Sequence, residues 1–299
     1  MVLTSGAMVI GTTTGVERLW ERWSDYPYNH AIAIFGMSAW LAIDAFGNAR
    51  IERLQPSAFG ALGLFVALAI YLVFEAFDHT LGMQAVLPLI LLAITATILG
   101  LNAAARLALP ILFLYFAIPV WDLMIPPLQT TTTAVVVTAL RWTGFTAFIE
   151  NTLIHIPAGT FEIAEGCAGI RYFIVSFALA TFYGLLYLRT WASSLALIGV
   201  ALALAILCNW LRVYSLVVIG DLTDMQHYFI AVSHARFGWG IYALSLVPVF
   251  VFAVFLERRQ KETQPRQPSS GTKLCSPLRY LAAAGLVATL LIASSFIRL

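Results

Sequence analysis

The chain has 299 residues, of which 61% are hydrophobic and 11% are charged, and its formal net charge is +2. Soluble domains carry about 25% charged residues, so the composition excludes an ordinary soluble protein. The small net charge and the lack of a basic run or a stacking motif argue against nucleic-acid binding.

The N-terminal residues 1–29 are predicted to be an extracytoplasmic, interfacial segment. Their start lacks the positively charged region and the long apolar core of a cleavable signal peptide. The stretch VERLWERWSDYPYN, residues 16–29, is amphipathic and carries Trp20 and Trp23. Such a pattern is typical of a helix that lies in the membrane interface.

Long stretches without charge follow, and each is long enough, or nearly so, to cross a ~30 Å hydrocarbon core as a helix. In lipid, backbone polar groups must be satisfied within the segment, which favours helices. We therefore expect an all-α polytopic membrane protein with about eight transmembrane helices, embedded in a lipid bilayer. The predicted spans are 30–46, 57–77, 82–101, 106–121, 168–188, 192–211, 237–256 and 278–296.

The segment 122–166 differs in character from the predicted spans. It holds the Pro126-Pro127 pair and a run of threonines, and its end alternates apolar and polar residues around Pro157-Ala158-Gly159. This alternation predicts a short extracytoplasmic hairpin rather than a span. With that segment outside, the Lys/Arg-rich stretch 257–277 is predicted to be cytoplasmic.

This topology brings several ionisable residues to one depth near the outer surface, at the ends of different spans. The first is Cys167, in the stretch EGCAGIR. Its flanking glycines permit a close approach of a substrate backbone, and a helix N-terminus favours a thiolate. Arg171 adds a positive charge, and Glu165 could tune the site or hold Arg171. The alternative for Cys167 is that of a small buried apolar residue.

Arg212 ends an apolar run in CNWLRVYS, where a charge is costly and therefore indicates function. A guanidinium there could bind a developing oxyanion, with Asn209 orienting it or sharing that task. Snorkelling to the interface is the alternative. A histidine in the last outer connection could move protons to and from the thiol and the leaving amine. His227 and His234 both qualify, and spacing does not choose between them.

Three blocks in this order resemble the exosortase family, which is related to the archaeosortases. They are FEIAEGCAGIRYFIVSFAL, NWLRVYSLVVIGD and SHARFGWGIYAL, and the resemblance extends from about Trp23 to Leu256. It implies that Cys167, Arg212 and His234 are the catalytic residues, which selects His234 over His227. The sequence departs from the family pattern at Gly166 and Ala168, where Ala and Ser or Thr are usual.

The resemblance further implies a cysteine peptidase or transpeptidase of the bacterial inner membrane, with its site facing the periplasm. Its protein substrates would carry a C-terminal PEP-CTERM signal and belong to exopolysaccharide systems. The predicted organisation is an exosortase-like transmembrane catalytic domain over 30–256, a cytoplasmic linker over 257–277 and a C-terminal transmembrane helix over 278–299. No cofactor is implied, and the absence of CxxC and HExxH spacings gives no support for a metal site.

Two other functions are compatible with the composition. A small-solute transporter could use Asp44, Arg141 and Arg212 to line a path, but no inverted repeat is detectable. A non-catalytic scaffold of polysaccharide export would leave Cys167 unreactive.

Overall fold

Helices make up most of the chain in the computed structural model. It describes residues 12–24, 28–47, 55–231 and 234–263, and of residues 46–47, 231, 234–236 and 263 it describes only the backbone. The helices are α1 Thr13–Ser24, α2 Ala31–Gly47, α3 Ala58–Ala76, α4 Thr80–Leu99, α5 Leu101–Phe113, α6 Ile125–Trp142, α7 Ile170–Tyr187, α8 Trp191–Leu222, α9 Tyr228–Ala231 and α10 His234–Thr263. Short 3-10 helices occupy Leu114–Ala117, Pro119–Met124 and Glu165–Cys167.

The predicted class, an all-α polytopic membrane protein, is confirmed. Among the described residues, six segments are long and apolar enough to cross a membrane: Ala58–Ala76, Thr80–Leu99, Pro119–Trp142, Ile170–Tyr187, Trp191–Leu222 and Phe237–Glu262. Two shorter apolar helices cover Ala31–Ala45 and Leu101–Ala117. The predicted span 278–296 and most of the predicted linker 257–277 lie outside the described residues.

The chain divides into two compact units, residues 1–121 and 122–299. In the first unit, α3 and α4 form an antiparallel pair whose core includes Tyr71 and Met83. The amphipathic helix α1 is fixed to this pair by polar contacts. The Gly15 N–H donates to the Tyr71 hydroxyl at 3.0 Å, and Arg18 forms an ion pair with Asp78 at 2.8 Å.

The second unit contains α7, α8 and α10, which share an apolar core. It also contains a three-stranded antiparallel sheet of β1 Phe148–Glu150, β2 Leu153–Ile156 and β3 Gly159–Glu162, in the order β1-β2-β3. The predicted hairpin corresponds to β2 and β3, whereas β1 was not predicted. Ile154 and Ile156 on one face of the sheet join an apolar cluster with α6 and α8.

The segment 122–166 was predicted not to contain a span, and α6 corrects this prediction, since length and composition make Pro119–Trp142 a candidate span. The prolines do not break α6, because they lie in its first turn, where a missing N–H costs no helical bond. Most of its threonine hydroxyls donate to carbonyls within the helix, as in the 2.8 Å bond from Thr133 to the Gln129 carbonyl.

Candidate active site

Cys167 lies in a tight turn between the sheet and α7. Its N–H donates to the Ala164 carbonyl at 2.8 Å, which closes the 3-10 turn Glu165–Cys167. Gly169 then adopts a left-handed conformation, with φ of +87°, and α7 starts at Ile170. Cys167 thus precedes the first turn of α7, and its side chain is partly buried.

Asn209 on α8 holds this turn through its side-chain amide. Its side chain is 1% exposed, and its Nδ2 donates to the Cys167 carbonyl at 2.9 Å. The same amide approaches Thr132 Oγ1 of α6 at 3.4 Å. A Cβ on Gly169 would lie only 2.6 Å from Asn209 Cγ, so the turn can approach the amide this closely only with glycine there. Asn209 was predicted to orient Arg212 or to share its task, and its bond to the Cys167 carbonyl was not predicted.

Arg212 lies one turn after Asn209 on α8 and is 5% exposed. Its guanidinium carbon is 5.8 Å from the centroid of the Tyr172 ring. The α10 backbone reaches this side chain at Gly238. A Cβ on Gly238 would lie 2.6 Å from Arg212 Nε and 2.4 Å from the Tyr172 hydroxyl. The first turn of α7 and the second turn of α10 therefore lie against the arginine.

Arg171 is also buried, at 3% exposure, and its guanidinium carbon lies 4.4 Å from the Trp239 ring centroid. Tyr172 stacks on Tyr242 at 4.6 Å with an interplanar angle of 5°. We call Tyr172, Trp239 and Tyr242 the aromatic cluster. No role was predicted for these three residues from the sequence, although the spacing of aromatic residues and glycines in SHARFGWGIYAL was a usable signal for α10.

The two candidate histidines, His234 and His227, lie at the starts of different helices. α10 begins at His234, one helical turn before Gly238, but the side chain of His234 lies outside the described residues. His227 Nδ1 accepts the N–H of Phe229 at 3.2 Å, a local bond at the start of the short helix α9. Glu165 opens the 3-10 turn and is exposed.

The Cys167 turn lies where the apolar part of α8 meets the sheet. Residues 191–208 of α8 rise about 27 Å, close to the thickness of a hydrocarbon core. Beyond Arg212, Val213 and Val217 join the apolar cluster that contains Ile154 of the sheet. Cys167, Asn209 and Arg212 thus occupy the boundary between the long apolar helices and the sheet.

The family model described as "Transmembrane exosortase (Exosortase_EpsH)" matches residues 20–251, which include the Cys167 turn, α7, α8 and the first half of α10. No curated protein and no solved structure matches the chain.

Proposed function

Because the chain belongs to the transmembrane exosortase family, whose members are membrane sorting transpeptidases, we propose that it cleaves C-terminal sorting signals of exported proteins through Cys167. The observation that carries the proposal is the 2.9 Å bond from Asn209 to the Cys167 carbonyl. This bond ties the turn that holds the thiol to the helical turn that holds Arg212.

In the proposed reaction, the Cys167 sulfur attacks the carbonyl carbon of the scissile peptide bond while His234 takes the thiol proton. Arg212 donates hydrogen bonds to the oxygen, which becomes negatively charged in the tetrahedral intermediate. The C–N bond then breaks, His234 returns the proton to the leaving amine, and a thioester remains on Cys167. An amine or a water molecule attacks the thioester and regenerates the thiol.

The burial of Arg212 supports this role. At 5% exposure, its positive charge is screened less by water than a surface charge would be. Tyr172 and the backbone at Gly238 restrict the positions that the guanidinium can occupy. A fixed donor in a poorly hydrated site stabilises an oxyanion with little reorganisation during the reaction.

The proposed substrates carry a PEP-CTERM signal, which consists of a Pro-Glu-Pro motif, a transmembrane helix and a basic tail. The boundary position of the Cys167 turn supports this choice, because a motif next to a transmembrane helix would lie at the same depth. We place the protein in the bacterial inner membrane with this boundary facing the periplasm, in a system that exports exopolysaccharide.

A reporter with a C-terminal PEP-CTERM signal, co-expressed with the protein, tests the proposal. Processing, seen as a shift of the reporter on a gel, should disappear in Cys167→Ala and persist in Cys208→Ala. Cys208 is a matched control, because it is a buried cysteine on α8. Processing by Cys167→Ala at the wild-type rate would overturn the proposal and favour a scaffold role.

The same reporter tests the other two residues. Arg212→Lys keeps the charge but loses the planar group of donors, and His234→Ala removes the proton carrier. Each should lower the rate of processing by at least about a hundredfold, in the range seen for lost oxyanion donors and general acid–base groups. A wild-type rate in either variant would remove that residue from the mechanism.

A further inference from the structure

β3 is an edge strand of the sheet, and its register determines which backbone groups face outward. Phe161 pairs with Ile154 of β2, and the Ile163 N–H continues this ladder to the Thr152 carbonyl at 2.9 Å. Hydrogen-bonded pairs alternate along an antiparallel ladder. Phe161 therefore directs its N–H and C=O toward β2, whereas Thr160 and Glu162 direct theirs away from the sheet. Both of these residues are exposed.

This edge leads directly to the Cys167 turn. Even a fully extended link would keep the Cα atoms of Glu162 and Cys167 within about 17 Å, and the 3-10 turn shortens that distance. The strand is also held in place. The Phe161 ring packs against Gly220 of α8, and Gln129 Nε2 of α6 donates to the Ile163 carbonyl at 2.9 Å.

We propose that the outer edge of β3 is the docking surface for an extended segment of the substrate polypeptide. The segment would add a strand to the sheet through main-chain hydrogen bonds with Thr160 and Glu162. Edge strands bind extended peptides in this way. The proposal rests on the proposed function, since a peptide cleaved at Cys167 must present an extended backbone beside that turn.

The opposite edge of the sheet is the less suitable surface. Ile149 of β1 pairs with Ile154, whose backbone groups face β3, so the Ile149 N–H and C=O point outward on that side. β1 is separated from the strand that continues to Cys167 by the whole width of β2. The β1 edge therefore provides a matched control with the same backbone chemistry.

Substitutions at Thr160 separate the backbone donor from the side chain. The Thr160 hydroxyl is hydrogen-bonded to His155 Nδ1 at 2.9 Å, and both Thr160→Val and Thr160→Pro lose this bond. Only Thr160→Pro also loses the outward N–H, at an edge position where a sheet tolerates proline. Processing of the PEP-CTERM reporter should fall about fivefold to tenfold in kcat/KM for Thr160→Pro, the range for one lost hydrogen bond. Thr160→Val is the reference for this change, and Ile149→Pro should stay within about twofold of wild type on the same scale.

Binding without turnover distinguishes this proposal from the proposed function. In a Cys167→Ala background, the uncleaved reporter should copurify with the protein and with its Thr160→Val variant, but only weakly with Thr160→Pro. Equal recovery with Thr160→Pro would overturn the docking surface and leave the role of Cys167 intact. Processing by Cys167→Ala would instead overturn the proposed function, and the recovery of reporter would still report on the edge.

Crosslinking covers the case in which Thr160→Pro does not accumulate. Thr160→Cys, in a background of Cys167→Ala, Cys208→Ala and Cys275→Ala, should form a disulfide with cysteines placed just before the reporter's transmembrane helix. Ile149→Cys in the same background should not. Crosslinking from Ile149→Cys alone, or from neither position, would overturn the proposal.

Discussion

Replacing Gly238 by alanine should disable the site while leaving the helix intact. The added Cβ would lie 2.6 Å from Arg212 Nε and 2.4 Å from the Tyr172 hydroxyl. Carbon and its neighbours pack at about 3.5 Å or more, so the atoms must separate by about 1 Å. Tyr172 cannot yield easily, because its ring is stacked on Tyr242 at 4.6 Å. Arg212, or α10 with His234 at its start, must therefore move.

The structure sets the size of the expected effect. A displacement of about 1 Å in a catalytic group costs roughly a hundredfold in rate. Crowding of a packed site costs about 1–3 kcal/mol of stability, which a multi-span protein can tolerate. We therefore expect Gly238→Ala to accumulate in the membrane and to process the PEP-CTERM reporter about a hundredfold more slowly. The loss should fall on kcat, because the β3 edge that we propose for substrate docking is unchanged.

Gly240→Ala is the control on the same helix. A Cβ on Gly240 has no atom within 4 Å, so the substitution should leave processing unchanged. The assay compares kcat and KM of both variants with thermal unfolding in detergent. Equal rates for Gly238→Ala and Gly240→Ala would refute the idea that Arg212 is held against the α10 backbone.

Three further predictions concern the Cys167 turn and the aromatic cluster. Asn209→Ala removes the donor to the Cys167 carbonyl and should lower kcat about tenfold to a hundredfold with a small change in KM, as measured with the reporter. Gly169→Ala would place an alanine at a φ of +87° and its Cβ 2.6 Å from Asn209 Cγ. The unfolding temperature of this variant should therefore fall, and processing should be lost. Trp239→Phe should keep part of the cation–π contact with Arg171 and Trp239→Leu none of it. Their free energies of unfolding should fall in that order, by about 0.5–2 kcal/mol, and a reversed order would contradict the contact.

The elements that could be predicted from the sequence were the long apolar helices, whose composition follows from the lipid environment. Long apolar runs predicted α3, α4, α7 and α8 because a helix in hydrocarbon must be apolar along its whole length. α6 was missed because its prolines and threonines are typical of a break, and only their positions in the helix show that they are satisfied. β1 was missed because its three residues, Phe148–Glu150, are too few to show a clear alternation.

In the candidate site, the residues could be predicted from the sequence, whereas the contacts between them could not. A family resemblance could select Cys167, Arg212 and His234, since it compares ordered blocks of sequence, and their catalytic roles stay predictions. The contacts of Gly238 with Arg212 and of Asn209 with the Cys167 carbonyl join different elements of the chain. Spacing within one helix carries no information about such contacts, because they depend on how α7, α8 and α10 pack.

α6 runs in the same direction as α8. Near its middle, Thr132 approaches Asn209, and near its end the Tyr214 hydroxyl donates to Thr143 Oγ1 at 3.1 Å. Higher residue numbers on α6 thus meet higher residue numbers on α8. Because these two contacts show which levels of α6 and α8 meet, the lengths by which the two helices extend before the level of Asn209 can be compared.

α6 has a supporting role at the site. Before the level of Asn209, α8 contributes residues 191–208, about 27 Å, whereas α6 contributes only 125–131, about 10 Å. Together with the 3-10 helix Pro119–Met124 before it, which adds about 12 Å, α6 extends through most of the layer that α8 crosses, in keeping with Pro119–Trp142 as a candidate span. The second half of α6, which includes Leu140, packs in the apolar cluster that also contains Ile154 of the sheet. The helix thus connects the sheet rigidly to the level of Cys167, as a docking edge that delivers a peptide to that residue requires.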